Sequence, residues 1–261
     1  MEGHLSKEEA LLPPGCWRRP LLALRTAVEP LRLLATSYPT RAGACLLVSF
    51  INGFAFAPSG SLKFKHLQED RGLSPGLVSL LSIGSGAVAL VVFPTLGRLS
   101  DRGGRRTLLC GFMAACPTGV IAFYNAPGNL YLPFYLVQML AGFGLGVLSA
   151  TFFSEAFPAS HRCTAGGAMT LFGVLGGAAG LAAESLLYSR LGTHTASVSI
   201  ALLPSFVSPF IVRLTMPETA GLELDDIAPE VAVKAKPSAE RAPADEAVGE
   251  VVGARGDATP S

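Results

Sequence analysis

Six apolar runs of roughly 20 residues, parted by short polar breaks, constrain this chain more than any other feature. They cover about 42–62, 75–96, 107–124, 130–153, 163–187 and 195–214. A run of that length suffices for a helix to cross the hydrocarbon of a bilayer. Helices rather than strands are expected there, because backbone N–H and C=O groups in lipid must be satisfied internally. The expected fold is an all-α membrane protein of six transmembrane helices. The third run is the shortest, contains Pro117, and ends in the turn sequence YNAPGN (124–129).

Composition agrees with that reading: half of the residues are hydrophobic and only 15% are charged. The charges sit at the two ends and in islands between the runs, with no basic stripe interleaved with aromatics, so a nucleic-acid partner is not expected. Residues 1–41 form a polar N-terminal segment in which LLALRTAVEPLRLLA (21–35) has the amphipathic pattern of a helix lying on a membrane surface. The segment lacks the apolar core of a cleavable signal peptide. Residues 215–261, rich in Ala, Pro, Glu and Lys, have the composition of a disordered tail. Lys and Arg placement orients the spans. Arg98, Arg102, Arg105, Arg106 and Arg162 lie on the side of the basic N-terminal segment and Arg213. Opposite them stand Lys63, Lys65 and Arg71, offset by Glu69 and Asp70, together with Arg190. Both termini are therefore expected in the cytoplasm, with the protein in the plasma membrane.

Catalytic and cofactor chemistry finds little support. The five cysteines form no CxxC pair and have no histidine at metal-ligand spacing, so they are expected as small apolar packers without a metal or cofactor. GSGAVA (84–89) lies inside an apolar run, where a dinucleotide-binding turn has no strand to follow. Arg255-Gly256-Asp257 is a tripeptide of the polar tail, and no Ser/His/Asp set has a credible site. An enzyme is not expected.

Three charged stretches at span ends remain. GRLSDRGGRR (97–106) has glycines that permit a tight turn, an Asp able to cap a helix or pair with Arg, and arginines suited to carboxylates or lipid phosphates. EAFPASHR (155–162) sets a carboxylate and a guanidinium on either side of a proline, and PETAGLELDDI (217–227) follows the last run. The first is similar to the signature loop of the major facilitator superfamily, G-x-L-[AS]-D-[RK]-x-G-R-[RK], at every defining position. The second resembles the E-x-F-P-x-x-x-R element after that superfamily's tenth span, and the third its P-E-T-x-G tail after the twelfth.

This resemblance runs from about residue 20 to 227. It implies the C-terminal half of a twelve-span transporter, built as a 3+3 inverted repeat. Residues 18–41 then correspond to the linker between halves. The chain is either part of a longer gene product, which the linker favours, or pairs with an N-terminal six-span half or a second copy of itself. The implied function is secondary active transport of a small solute by alternating access, with proton coupling as one option. A non-transporting six-span membrane subunit or sensor of the same fold is the alternative. The resemblance also implies a charge cluster that closes the cytoplasmic face in one state and parts in the other: Gly97, Asp101, Arg102, Gly104, Arg105, Arg106, Glu155 and Arg162. In it Asp101 would lie near Arg162, and Glu155 would meet Arg105 or Arg106.

The first and fourth spans would border the solute cavity. Ser49, Asn52 and Phe56 share a helical face on one, and Tyr131, Tyr135 and Gln138 on the other. Asn52, Tyr135 and Gln138 are the candidate solute contacts, with interhelical hydrogen bonding as the competing role. The paired glutamines and Pro-Trp of the sugar-porter branch are absent. Arg162-Cys163-Thr164-Ala165-Gly166-Gly167 looks more like branches carrying organic acids or metabolites with protons. Glu184 is expected at the interface beside Arg190. Gly173, Gly176, Gly177, Gly180 and the Gly142-x-x-x-Gly146 pair are expected at close helix contacts.

Overall fold

The computed structural model describes residues 36, 38–158 and 161–218. The expected amphipathic helix at 21–35 and nearly all of the expected tail lie outside them. Helix α1 spans Pro39–Lys65 and continues as a π-helical turn, His66–Asp70. Helix α2 spans Pro75–Gly103, and α3 Arg105–Asn125. A 3-10 turn at Gly128–Leu130 leads into α4, Tyr131–Glu155, and α5 spans Arg162–Leu191. The sixth element, α6, is His194–Thr215, with a 3-10 stretch over Leu203–Val207. All six are long and apolar enough to cross a membrane, and no strand occurs among the described residues.

The helices outrun the apolar sequences because their ends are set by caps rather than by hydropathy. Ser74 accepts the Leu77 amide at 3.4 Å and Pro75 fills the first turn of α2. Gly192, at φ +71°, closes α5 in the left-handed conformation that a residue with a Cβ resists. Pro117 does not shorten α3, which runs unbroken on both sides of it. The stretch 97–106, expected as a loop, is helical up to Gly103, and the whole turn is Gly104 at φ +89°. Only glycine takes that conformation cheaply, so α2 and α3 are joined by one residue.

Helix pairing follows an exchange in which α1, α2 and α3 swap with α4, α5 and α6. Thus α1 packs on α5 as α2 packs on α4, and α3 packs on α4 as α1 packs on α6. Such a pattern is what a 3+3 inverted repeat produces. The α1–α5 contact is the most extensive in the bundle. It is made backbone to backbone: a Cβ at Gly53 would lie 2.0 Å from the Gly173 carbonyl oxygen, at Gly176 2.1 Å from that of Phe50, and at Gly180 2.0 Å from that of Phe54. Gly177 packs nearby against Ala57, whereas Gly142 and Gly146, also expected at a helix contact, face open space.

Two apolar clusters fill the interior. One gathers Val48, Leu109, Met113, Leu148, Phe152, Phe157 and Val212, the other Ala55, Leu67, Phe123, Tyr124, Tyr135, Val198 and Leu202. Leu80, Ile83, Leu90 and Val91 of α2 and Leu171, Val174 and Leu175 of α5 point outward. A bundle with outward apolar faces suits lipid or another apolar helical surface rather than water.

Candidate functional site: a charge cluster and an open cleft

The charged side chains of GRLSDRGGRR are aimed by the one-residue turn. Ending α2 at Gly103 and starting α3 at Arg105 puts Asp101 in the last turn of one helix and Arg105 first in the next. Arg105 Nη2 donates to Asp101 Oδ1 at 3.0 Å, and Nη1 is ion-paired with Glu155 Oε1 at the end of α4. One guanidinium thus ties three helices, a use to which its planar fork of donors is suited. Asp101 is exposed, but Glu155 is mostly buried and its Oε2 has no hydrogen-bond partner.

Arg106 turns the other way. Its Nη1 donates to the Met216 carbonyl at 3.0 Å, while its backbone N–H donates to Glu218 Oε1 at 3.0 Å. Glu218 therefore caps α3, where the helix dipole favours a carboxylate, and Asp101 does not. The same carboxylate presses on the turn: a Cβ at Gly104 would lie 3.3 Å from Glu218 Oε2. The sequence pattern alone does not assign Glu218 to this cluster, although it lies in the Pro-Glu-Thr stretch after the last span.

The remaining residues divide. Gly97 is half-buried on α2 with open space where a Cβ would go, and Arg102 is exposed. Arg162 is not paired with Asp101; its Nε donates to the Phe157 carbonyl at 3.2 Å across the Pro158 break. Its side chain lines a cleft instead.

That cleft, about 450 Å³, is bordered by Ser49 and Asn52 of α1, Ser149 and Phe153 of α4, and Arg162, Met169 and Thr170 of α5. A second one of about 390 Å³ shares Asn52 and Ser149 and continues along Phe56, Ser59, Lys63, Gln138 and Met139. Both fall in the size range of small-molecule sites. Asn52 and Gln138 thus both face open space between α1 and α4. Asn52 accepts a 3.2 Å hydrogen bond from Ser208, and Gln138 is buried with Nε2 unpartnered. Tyr135 does not line either cleft; it is 1% exposed, packs on Phe123 at 5.8 Å, and its hydroxyl has no partner.

Sequence reasoning missed Lys63, which it placed in a loop, and the partners of Glu184. Glu184 is buried and accepts from His194 Nδ1 at 2.8 Å and Ser197 Oγ at 3.0 Å. The sharp turn at Gly192 folds α6 back and brings His194 to it, with the imidazole stacked on Tyr188 at 4.0 Å. Among the described residues no cluster of three or more His, Cys, Asp or Glu could hold a metal ion.

A family model, Major Facilitator Superfamily, matches residues 45–248. The chain belongs to the major facilitator superfamily. Its matched region runs from within the first span through the other five and takes in each of the three charged stretches. Among curated proteins none matches. Members of the superfamily are membrane-embedded transporters of small solutes rather than enzymes, and six spans are half of their twelve-span fold. This major facilitator chain is accordingly an integral membrane protein.

Proposed function

We propose that this chain carries out secondary active transport of a small solute by alternating access. Asp101, Arg105 and Glu155 form the gate at the cytoplasmic end, with Arg106 and Glu218 beside it. The observation that carries the reading is the Arg105 bridge from α2 and α3 to Glu155 of α4, next to an open cleft of ligand size. An ion pair across helices that separate in one state and meet in the other biases the equilibrium between them. Protons are the coupling ion that the buried Glu184, held by His194 and Ser197, best supports.

The unit works in the plasma membrane with both termini in the cytoplasm, as its arginine distribution favours. An N-terminal six-span half or a second copy completes the cavity, which suits the outward apolar faces of α2 and α5. The experiment is solute counterflow in proteoliposomes holding the full chain, or the longer protein if cells make one, with Asp101→Asn and Glu155→Gln. Both variants should insert as wild type does and lose most of their transport. Wild-type rates in both would refute the gate.

A further inference from the structure

Lys63 is the one charged residue lining the cleft between α1 and α4 that also holds Asn52 and Gln138. It is half-buried, and no carboxylate among the described residues lies within ion-pairing distance of it. Its ammonium is 5.0 Å from the centre of the Phe64 ring and 5.9 Å from that of Tyr135, with Met139 Sδ at 3.8 Å. Two residues on, Lys65 behaves as a lysine at a helix end ordinarily does: it is exposed and pairs with Glu69 at 3.7 Å. Lys63 instead sets its ammonium near two aromatic rings.

The serine hydroxyls of that wall and the side-chain oxygen of Asn52 already have partners. Ser59 Oγ donates to the Phe56 carbonyl at 3.0 Å, and Ser149 Oγ to that of Gly146 at 3.1 Å. The carbonyl oxygen of Asn52 is taken by Ser208. Gln138 is 5% exposed, and its Nε2 has no acceptor. A buried amide left without an acceptor is costly, and so is an ammonium without a counter-charge. A carboxylate in the cleft supplies the missing counter-charge, and a turn of the Gln138 amide about its last torsion would present the buried Nε2 to it. The second cleft, continuous at Asn52 and Ser149, has Arg162 as its one cation and no acidic residue in its lining.

We propose that the solute is a small organic anion whose carboxylate is bound between the Lys63 ammonium and the Gln138 side-chain amide. The proposal rests on the transport reading for its setting, but its content is the charge and chemistry of what occupies the cleft. Water-excluding apolar walls strengthen such a contact, because the local dielectric is far below that of water. The aromatic rings of Phe64 and Tyr135 hold Lys63 in place while the cleft is empty.

The test uses the full chain in detergent and circular-dichroism melts with matched pairs of probes: benzoate and benzamide, lactate and lactamide, succinate and succinamide. Choline and glucose serve as cationic and neutral comparisons. At least one carboxylate should raise the melting midpoint, and its amide should not. Lys63→Gln should weaken that carboxylate at least about tenfold, a change of about 1.4 kcal/mol, while Lys63→Arg retains most of the response. Stabilisation by choline, glucose or the amides with none from carboxylates would overturn the proposal. So would silence from every carboxylate, or a Lys63→Gln response equal to wild type. The probe pairs decide the matter on the wild-type chain even if that variant fails to fold, and Gln138→Leu gives a second route.

Uptake separates this proposal from the transport reading. A carboxylate that binds through Lys63 but never crosses the bilayer refutes transport and leaves the site standing. A cation or neutral solute carried equally well by Lys63→Gln refutes the site and leaves transport standing.

Discussion

Replacing Gly176 by Ala tests the backbone contact between α1 and α5. The added Cβ would lie 2.1 Å from the Phe50 carbonyl oxygen, with the carbonyl carbon at 2.9 Å. A relaxed carbon–oxygen contact needs about 3.3 Å, so the two helices must part by about 1 Å. The obstacle is main chain, which cannot rotate aside as a side chain could. A gap of about 1 Å forfeits up to half of each van der Waals well; over roughly 30 atom pairs at about 0.15 kcal/mol each that is about 2 kcal/mol. This lies inside the range of about 1–3 kcal/mol found for overpacked cores. For a chain of this size it corresponds to a fall in melting temperature of about 4–8 °C. Thermal melts followed by circular dichroism read it directly. Gly167→Ala on the same helix is the control, because nothing lies within 4 Å of the position its Cβ would take; it should melt no lower than wild type. A Gly176→Ala melt equal to wild type, or an equal fall in both variants, would refute the backbone contact between α1 and α5.

Two further substitutions probe the cluster and the cleft. Gly104→Ala forces φ +89° on a residue with a Cβ and pushes that atom against Glu218, so it should destabilise by about 1–3 kcal/mol; an unchanged melt would argue against the one-residue turn. Tyr135→Phe removes a buried hydroxyl that has no partner, so the variant should be as stable as wild type or up to about 1 kcal/mol more so. A clear loss of stability would mean that the hydroxyl is hydrogen-bonded after all.

The six spans were legible because hydrocarbon imposes one rule on the backbone, and the apolar runs obey it. Their true ends were harder to see, since Ser74, Gly104 and Gly192 terminate helices by geometry while hydropathy fades some residues earlier. Asn52 and Gln138 announced themselves as polar residues within apolar runs. Lys63 did not, because charge counting assigned it to a loop. Its spacing held the clue: Asn52, Phe56, Ser59 and Lys63 stand at intervals of four, three and four along α1, which is a single stripe of a helix. Contacts across the fold were beyond such patterns. Nothing local tells Arg106 that its amide will meet Glu218, and Glu184 finds His194 only because the chain reverses at Gly192. Asp101 pairs with Arg105 rather than with Arg162 for a similar reason, the helix continuing further than the loop reading allowed.

The glycine contact between α1 and α5 also has a mechanical meaning. Small relative shifts of packed helices are normally absorbed by side chains changing rotamer, and at Gly53, Gly176 and Gly180 main chain meets main chain with none to change. To slide, the pair would have to ratchet by a whole turn, about 5.4 Å. In any smaller motion α1 and α5 behave as a single girder. Ser49, Asn52, Arg162 and Thr170 line the cleft from that girder, so in the alternating access proposed above the aperture would change by what α4 does on the far wall.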